Sequence, residues 1–328
     1  MIAKTIGRSF GAAHLTQIEG LTREDVVLVL QTARSFAEVN ERALKKVPVL
    51  RGRTVAMLFF ENSTRTRLSF ELAAKRLSAD TLSFSASGSS VAKGETLIDT
   101  ARNIEAMGPD LVVVRHQHAG APQMLTRAMS GAVINAGDGQ HEHPTQALLD
   151  AFTLLHRWGR DPSEGLAGKT VAIVGDIARS RVARSNMLCL KLLGANVRVA
   201  GPATMLPAGL AHYGIEQTSD VDEALEGVDA VMMLRIQKER MAGPAMASDR
   251  DYARGWGLSK ERFARLPQHA LVMHPGPINR GVEIDHDVAD DARSLVLEQA
   301  ENGVAVRMAV LYLLAVQHAK VSHDAGVA

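Results

Sequence analysis

Residues 54–67 read Thr-Val-Ala-Met-Leu-Phe-Phe-Glu-Asn-Ser-Thr-Arg-Thr-Arg. Thr54–Phe60 is a short, unbroken run of β-branched and large apolar side chains. A strand buried on both faces reads this way, as a continuous apolar run without alternation, and such strands belong to parallel sheets covered by helices. A turn rich in hydroxyls and arginines follows, and then a helical pattern from about Thr66 to Ser78. Strand, polar turn and helix in succession form the unit of an α/β fold.

The same unit recurs along the rest of the chain. Leu111–Val114 (LVVV) follows a helical stretch around Leu97–Ala106. Ala132–Asn135 (AVIN) precedes a helix that starts near His143. Thr170–Val174, Val197–Ala200, Ala230–Leu234 and Ala270–Met273 continue the rhythm. The predicted fold class is α/β, with two domains, each a mostly parallel sheet flanked by helices. A chain of 328 residues fits about two domains of ordinary size. The expected division is 1–144 and 145–299, with 300–328, including a helix from about Gly303 to Lys320, packing back on the first domain. Trp158–Gly168, rich in Gly and Pro, reads as a loop.

Hydrophobic residues make up 46% of the chain, enough to fill two cores. The net charge of +1 lacks the basic excess of a general nucleic-acid binder, so no nucleic acid is expected as a partner. One cysteine, Cys189, rules out a disulfide within the chain and a multi-cysteine zinc site. It lies among Met187, Leu188 and Leu190 and reads as a buried structural thiol. The N-terminal residues show no signal-peptide pattern. The apolar segment Met308–Val316 is too short to span a bilayer, which needs about 20 apolar residues. A cytoplasmic location and no membrane partner are the expectations.

Ligands in open α/β sheets sit at the carboxyl ends of the strands. Past Phe60, Ser63, Thr64, Arg65 and Thr66 stand where a helix offers unpaired N–H groups and a partial positive charge, which makes an anion cradle. An ordinary Ser/Thr cap with solvent-facing arginines is the competing reading. The density of such residues straight after a buried strand favours phosphate. The P-loop pattern is absent. Arg115 follows Leu111–Val114; alone it is a weak signal. His116 and His118 read as loop residues. Residues 135–146 form a Gly-rich loop that leads through His141, His143 and Pro144 into a helix, with Pro in its usual first-turn place. No acidic or Cys cluster completes a ligand set around these histidines, so no metal is expected. Ser85–Thr96 (SASGSSVAKGET) is small, polar and Gly-containing, and is expected to be a mobile loop.

In the second half, Thr170–Val174 leads into Gly175-Asp176-Ile177-Ala178-Arg179-Ser180-Arg181, which lacks the dinucleotide-binding glycine pattern. Ala230–Leu234 leads into Arg235-Ile236-Gln237. Two arginines after two strands suit a dicarboxylate, since each can pair bidentately; either alone could be a surface arginine. Ala270–Met273 leads into His274-Pro275-Gly276-Pro277, a stiff turn with exposed carbonyls, in which Gly276–Pro277 is a candidate cis peptide.

The run Phe59–Arg67 resembles the Ser-Thr-Arg-Thr-Arg signature of the aspartate and ornithine carbamoyltransferases. The resemblance runs from His14-Leu15 to the final helix. It implies that 1–144 binds carbamoyl phosphate and 145–299 binds the amino acid. It implies that Ser63, Thr64, Arg65, Thr66 and Arg115 hold the phosphate, and that Arg115 also reaches the carbonyl oxygen. His143 would donate to that oxygen, and Gln146 would accept from the carbamoyl NH₂. Lys93 matches the lysine of a loop that enters a neighbouring subunit's site. Ser89 matches its serine best, with Ser90 one place off. Thr66, Arg115, His143 and Lys93 are thus the implied catalytic set. Arg181, Arg235 and Gln237 match the aspartate ligands, joined by Lys93, and the Gly276 and Pro277 carbonyls would orient the amine. His-Pro-Gly-Pro-Ile-Asn-Arg-Gly-Val-Glu-Ile (274–284) is typical of bacterial aspartate-type members. Leu68 departs from a common Thr, and Gly276 from a common Leu. The resemblance implies no cofactor, a homotrimer with shared sites, and a regulatory or dihydroorotase-like partner chain in some relatives. An ornithine-type carbamoyltransferase is the alternative within the family, disfavoured by Arg235-Ile236-Gln237 and by the position of Cys189. A non-catalytic anion-binding regulatory protein is the alternative outside it.

Overall fold

The computed structural model describes residues 10–85, 94–237 and 248–325. The chain divides into two compact units, Met1–Ser163 with Ala300–Ala328, and Glu164–Gln299.

The first unit opens with α1 (Arg23–Glu41), whose N-terminus is closed by Thr22 and Asp25 in a reciprocal capping box. Then come β1 (Thr54–Phe59), α2 (Thr64–Arg76), β2 (Asp80–Ser85), α3 (Leu97–Glu105), β3 (Leu111–His116), α4 (Ala121–Leu125), β4 (Ala132–Asp138) and α5 (Pro144–Arg157). The four strands form one parallel sheet in the order β2-β1-β3-β4. Ala56, Leu58, Val112, Val114 and Val133 pack on one face with Ala101, Ile104 and Leu125, which explains the unbroken apolar runs. β2 escaped the sequence reading because it is an edge strand. It alternates polar and apolar residues, and only Leu82 and Phe84 pack on the core.

The second unit contains β5 (Thr170–Val174), α6 (Arg181–Leu192), β6 (Asn196–Ala200), β7 (Glu216–Thr218), α7 (Val221–Ala224), β8 (Ala230–Met233), α8 (Asp249–Trp256), α9 (Lys260–Arg265), β9 (Leu271–Met273) and α10 (His286–Ala289). Its sheet is again parallel, in the order β7-β6-β5-β8-β9. Val174, Val231, Met233 and Val272 pack with Leu258, Phe263 and Leu266. Cys189 is fully buried in α6. The Gly276–Pro277 peptide is cis.

α11 (Val296–Ala325) closes the chain, and residues Ala300–Ala328 belong to the first unit. The helix starts seven residues before the expected Gly303 because that glycine does not break it. A Cβ there would lie 2.5 Å from Nη1 of Arg307, so the helix uses the glycine to admit a buried arginine. Where the sequence reading divided the chain at 144/145, the first unit runs on to Ser163. The reason is that α5 is a core helix of that unit, with every residue from Pro144 to Leu155 buried. Asn302 Nδ2 donates to Thr153 Oγ1 (3.1 Å), and Arg34 pairs with Asp161 (3.0 Å) beyond the end of α5. Among the described residues, no helix is long and apolar enough to cross a membrane.

Both sheets share one topological feature. In each, the chain lays down a central strand, adds a neighbour on one side, and then crosses to the other. The order reverses between β1 and β3 in the first unit and between β5 and β8 in the second. Loops diverge at such switch points and leave a crevice at the strands' carboxyl ends.

Candidate functional site

At the first switch point the loop after β1 is tied to β3, for Phe60 N donates to Arg115 O at 2.9 Å. The Arg115 guanidinium donates through Nη1 to Ala136 O (3.0 Å) and through Nη2 to Glu61 Oε1 (2.8 Å). Its side chain is only 11% exposed, so it is a largely enclosed cation aimed by the loop after β1 and by β4. Sequence reasoning passed over Glu61, although an acidic residue directly after an apolar strand could have been read as a partner for a cation on the next strand.

α2 begins at Thr64, and its N-cap Ser63 makes no side-chain capping bond. α5 likewise opens at His143 without one. By contrast α1, α3, α6, α8 and α9 are capped by Thr22, Thr96, Ser180, Ser248 and Ser259. The two helices at this crevice therefore keep the positive ends of their dipoles unneutralised by their own caps. Thr66 is buried, whereas Thr64 and Arg65 are exposed. Arg67 turns away to Glu71 (3.2 Å).

His143 and Gln146 are buried in the first turn of α5. A polar scaffold that the sequence reading missed delivers them. Asn135 Nδ2 donates to Asp138 Oδ1 (2.7 Å), Gly120 N to Asp138 Oδ2 (2.8 Å), and Ile18 N to Glu142 Oε2 (2.7 Å). His141 belongs to this scaffold through Asp138 (3.1 Å). Gln146 Nε2 donates to Asp150 Oδ1 at 2.9 Å inside the core. Only the NH₂ can face a carboxylate, so the amide orientation is fixed and Gln146 keeps its oxygen as an acceptor. Arg307, fully enclosed, stacks over Phe70 of α2 at 5.1 Å. Burial lowers its pKa to about 10, against the opposing charge of Asp150. His116 accepts from His118 N at its Nδ1 (3.0 Å) and packs on Phe60 and, at 5.3 Å, on the His118 ring. Burial, and then the neighbouring His118, lower its pKa and favour the neutral ring. Ser89, Ser90 and Lys93 lie outside the described residues.

At the second switch point Leu234 N donates to Val174 O (2.8 Å). Arg181 is the first residue of α6 and is buried. Its neighbour Arg179 instead pairs with Asp176 (3.2 Å), whose pKa burial raises and Arg179 lowers. Arg235 and Gln237 are half-buried on either side of Ile236, which is 1% exposed. The Gln237 side-chain oxygen is buried and has no hydrogen-bond partner among the described residues. Gly276, at φ +62°, donates to His274 Nδ1 (2.8 Å). The sequence reading named the carbonyls of this turn but not Glu283, whose carboxylate is fully buried nearby. Among the described residues, no group of His, Cys, Asp or Glu is arranged to hold a metal ion.

Two parallel α/β units, each with guanidinium groups at its switch point, define a class of protein built to hold small anions. Residues 13–156 match the carbamoyl-phosphate-binding domain of the aspartate/ornithine carbamoyltransferases, and residues 167–314 match their Asp/Orn-binding domain. The chain is 56% identical, over 92% of its length and 94% of the relative's, to the aspartate carbamoyltransferase catalytic subunit of a Nocardioides species. It resembles the crystal structure of Trypanosoma cruzi aspartate transcarbamoylase in complex with carbamoyl aspartate and phosphate. There the TM-score is 0.81 at 30% identity, covering 91% of this chain and 95% of that one. Ornithine carbamoyltransferase from Thermus thermophilus gives the same TM-score, 0.81, at 26% identity over 92% and 99% of the two chains. The chain belongs to the aspartate/ornithine carbamoyltransferase family.

Proposed function

We propose that this enzyme transfers the carbamoyl group of carbamoyl phosphate to the α-amine of L-aspartate, giving N-carbamoyl-L-aspartate and phosphate, a step of pyrimidine biosynthesis. The observation that carries the choice of amino acid is Arg235-Ile236-Gln237 at the second switch point, in a chain 56% identical to an aspartate-type catalytic subunit. Arg181 and Arg235 offer two guanidiniums to two carboxylates. Ornithine has one carboxylate and a cationic side chain, which a second arginine would repel.

Ser63, Thr64, Arg65, Thr66 and Arg115 hold the phosphate, joined by Ser89 and Lys93. Thr66, Arg115 and His143 donate to the carbonyl oxygen, where negative charge develops. Preorganised donors of this kind are worth about 3–4 kcal/mol each. Gln146 accepts from the carbamoyl NH₂ with the oxygen that Asp150 leaves to it. Arg181, Arg235, Gln237 and Lys93 hold aspartate, and the Gly276 and Pro277 carbonyls orient its amine. The free amine attacks the carbonyl carbon, so a C–N bond forms and the C–O bond to phosphate breaks. The departing phosphate keeps that electron pair and takes the amine proton. Holding both reactants removes much of the entropic barrier.

A cytoplasmic homotrimer with shared sites is part of this proposal. Arg65→Ala and Lys93→Ala proteins, each nearly inactive alone at a carbamoyl phosphate concentration well below the variant's KM, would on refolding together in equal amounts regain about a quarter of wild-type activity from cyclic geometry alone. If Lys93 serves its own chain, mixing recovers nothing. The activity itself is tested by offering carbon-13-labelled carbamoyl phosphate with equal aspartate and ornithine. Labelled carbamoyl aspartate is expected. Labelled citrulline, or unconsumed carbamoyl phosphate, would refute the assignment.

A further inference from the structure

Glu283 is fully buried, yet it lies on no strand or helix and has no guanidinium or ammonium partner within salt-bridge distance among the described residues. Both of its oxygens accept from the protein. Oε1 takes Ile236 N–H at 2.8 Å and Asn279 Nδ2 at 2.7 Å, and Oε2 takes Asn279 N–H at 2.7 Å. The nearest cationic candidate is His274, whose Nε2 stands 3.9 Å from Oε2, too far for a hydrogen bond. A buried carboxylate is costly unless its lone pairs are satisfied, and here backbone and amide donors satisfy them.

What those donors belong to gives the residue its role. Ile236 sits between Arg235 and Gln237, and its side chain packs inward with Met205 and Tyr252. Glu283 fixes the same residue by its N–H. Asn279 lies two residues beyond Pro277, and its carbonyl accepts from Val282 N (3.0 Å) and Glu283 N (3.3 Å), which closes the turn on itself. The Glu283 carbonyl in turn accepts from Leu258 N (2.9 Å). One carboxylate therefore joins the loop after β8 to the turn after β9.

We propose that Glu283 is a positioning residue for the amino-acid substrate, setting Arg235 and Gln237 in register with the Gly276–Pro277 turn. This rests on the reading of Arg235 and Gln237 as aspartate ligands. Glu283 itself touches no substrate; it fixes the relative place of the groups that grip the side-chain carboxylate and those that orient the amine.

Glu283→Gln keeps the shape but replaces one acceptor oxygen by NH₂. Whichever way the amide lies, at least one N–H now faces another donor. The expected result is an aspartate KM raised about tenfold or more, a much smaller change in kcat, and an unchanged carbamoyl phosphate Kd by calorimetry. Glu283→Asp, which retains both oxygens, should recover part of the loss. Arg235→Ala is measured in parallel. If Arg235→Ala raises aspartate KM and a folded Glu283→Gln does not, the positioning role is overturned while the site reading stands. If Arg235→Ala leaves aspartate KM unchanged, the site reading fails and the inference falls with it. A lower melting temperature and lower kcat with unchanged KM would show a merely structural residue and would also overturn it. Should Glu283→Gln fail to fold, Asn279→Ala removes one donor and leaves the Ile236 bond. A several-fold rise in aspartate KM supports the role, and no rise refutes it.

Discussion

In the proposed function the two switch points share one task, holding an anion, and meet it with different parts. In the first unit the helices at the crevice leave their N-termini without side-chain caps, and Arg115 is aimed by Glu61 and the Ala136 carbonyl. In the second unit α6 is capped by its own Ser180, which accepts from Ala183 N (3.1 Å). There the proposed recognition falls to Arg181 on α6 and to Arg235 and Gln237 on the loop after β8, which Glu283 ties to the turn after β9. A phosphate is compact and dianionic and can be met by convergent backbone N–H groups. A dicarboxylate spreads its charge over two ends, so it needs separate guanidiniums whose spacing is fixed.

If that contrast is right, variants in the two units should fail differently. The largest effect is expected at Arg115, assigned to both phosphate and carbonyl oxygen. Arg115→Ala should lower kcat by about 10²–10³-fold in single-turnover measurements. A change confined to KM would make it a ground-state ligand only and weaken the distinction between binding and chemistry in the first unit.

Next in size are Arg65→Ala and Arg235→Ala, which should be mirror images. Arg65→Ala should raise the KM for carbamoyl phosphate and weaken product inhibition by phosphate, each roughly ten- to a hundredfold, with little change in aspartate KM. Arg235→Ala should do the reverse. The comparison breaks if both variants affect both substrates equally.

The smallest effect concerns pH. Burial raises the Glu283 pKa above the ordinary glutamate value, against the N–H donors of Ile236 and Asn279, which lower it. As pH falls, Glu283 therefore protonates before an ordinary glutamate, and its O–H then opposes an N–H donor. His274 and Tyr252 are the titratable groups beside it, and burial pushes the Tyr252 phenol well up, so that it stays neutral. Aspartate KM should rise on the acid side while the carbamoyl phosphate KM holds. The stability term has the other sign. A folded-state pKa above the unfolded one contributes stability fully present below the unfolded pKa and lost as pH rises through the folded value. Acid weakening of aspartate binding should thus come without loss of folding from this group. Glu283→Gln should flatten the acid limb of the aspartate KM profile; an unchanged limb assigns it to another group.

Legibility in the sequence followed the same divide. The buried strands announced themselves as continuous apolar runs. The edge strands β2 and β7 did not, since Asp80–Ser85 alternates and Glu216–Thr218 is only three polar residues long. Cations and hydroxyls after strands could be read because their density there is unusual. The acids that aim them could not. Glu61, Asp138 and Glu283 are single carboxylates, each separated in sequence from at least one group it fixes, and Glu283 reaches across 47 residues to Ile236. Gly303 misled for a related reason. Its value lies in the space it gives Arg307 and not in any local turn.

The most direct test of the central claim, that the two units hold two anionic parts of one reaction, is calorimetry with a single compound offering both a phosphonate and an aspartate. Its Kd is expected to be at least about 10²-fold below that of carbamoyl phosphate, as for a ligand that resembles the transition state, and Arg65→Ala and Arg235→Ala should each weaken it. Affinity no better than that of a single substrate, or full affinity in either variant, would contradict the claim.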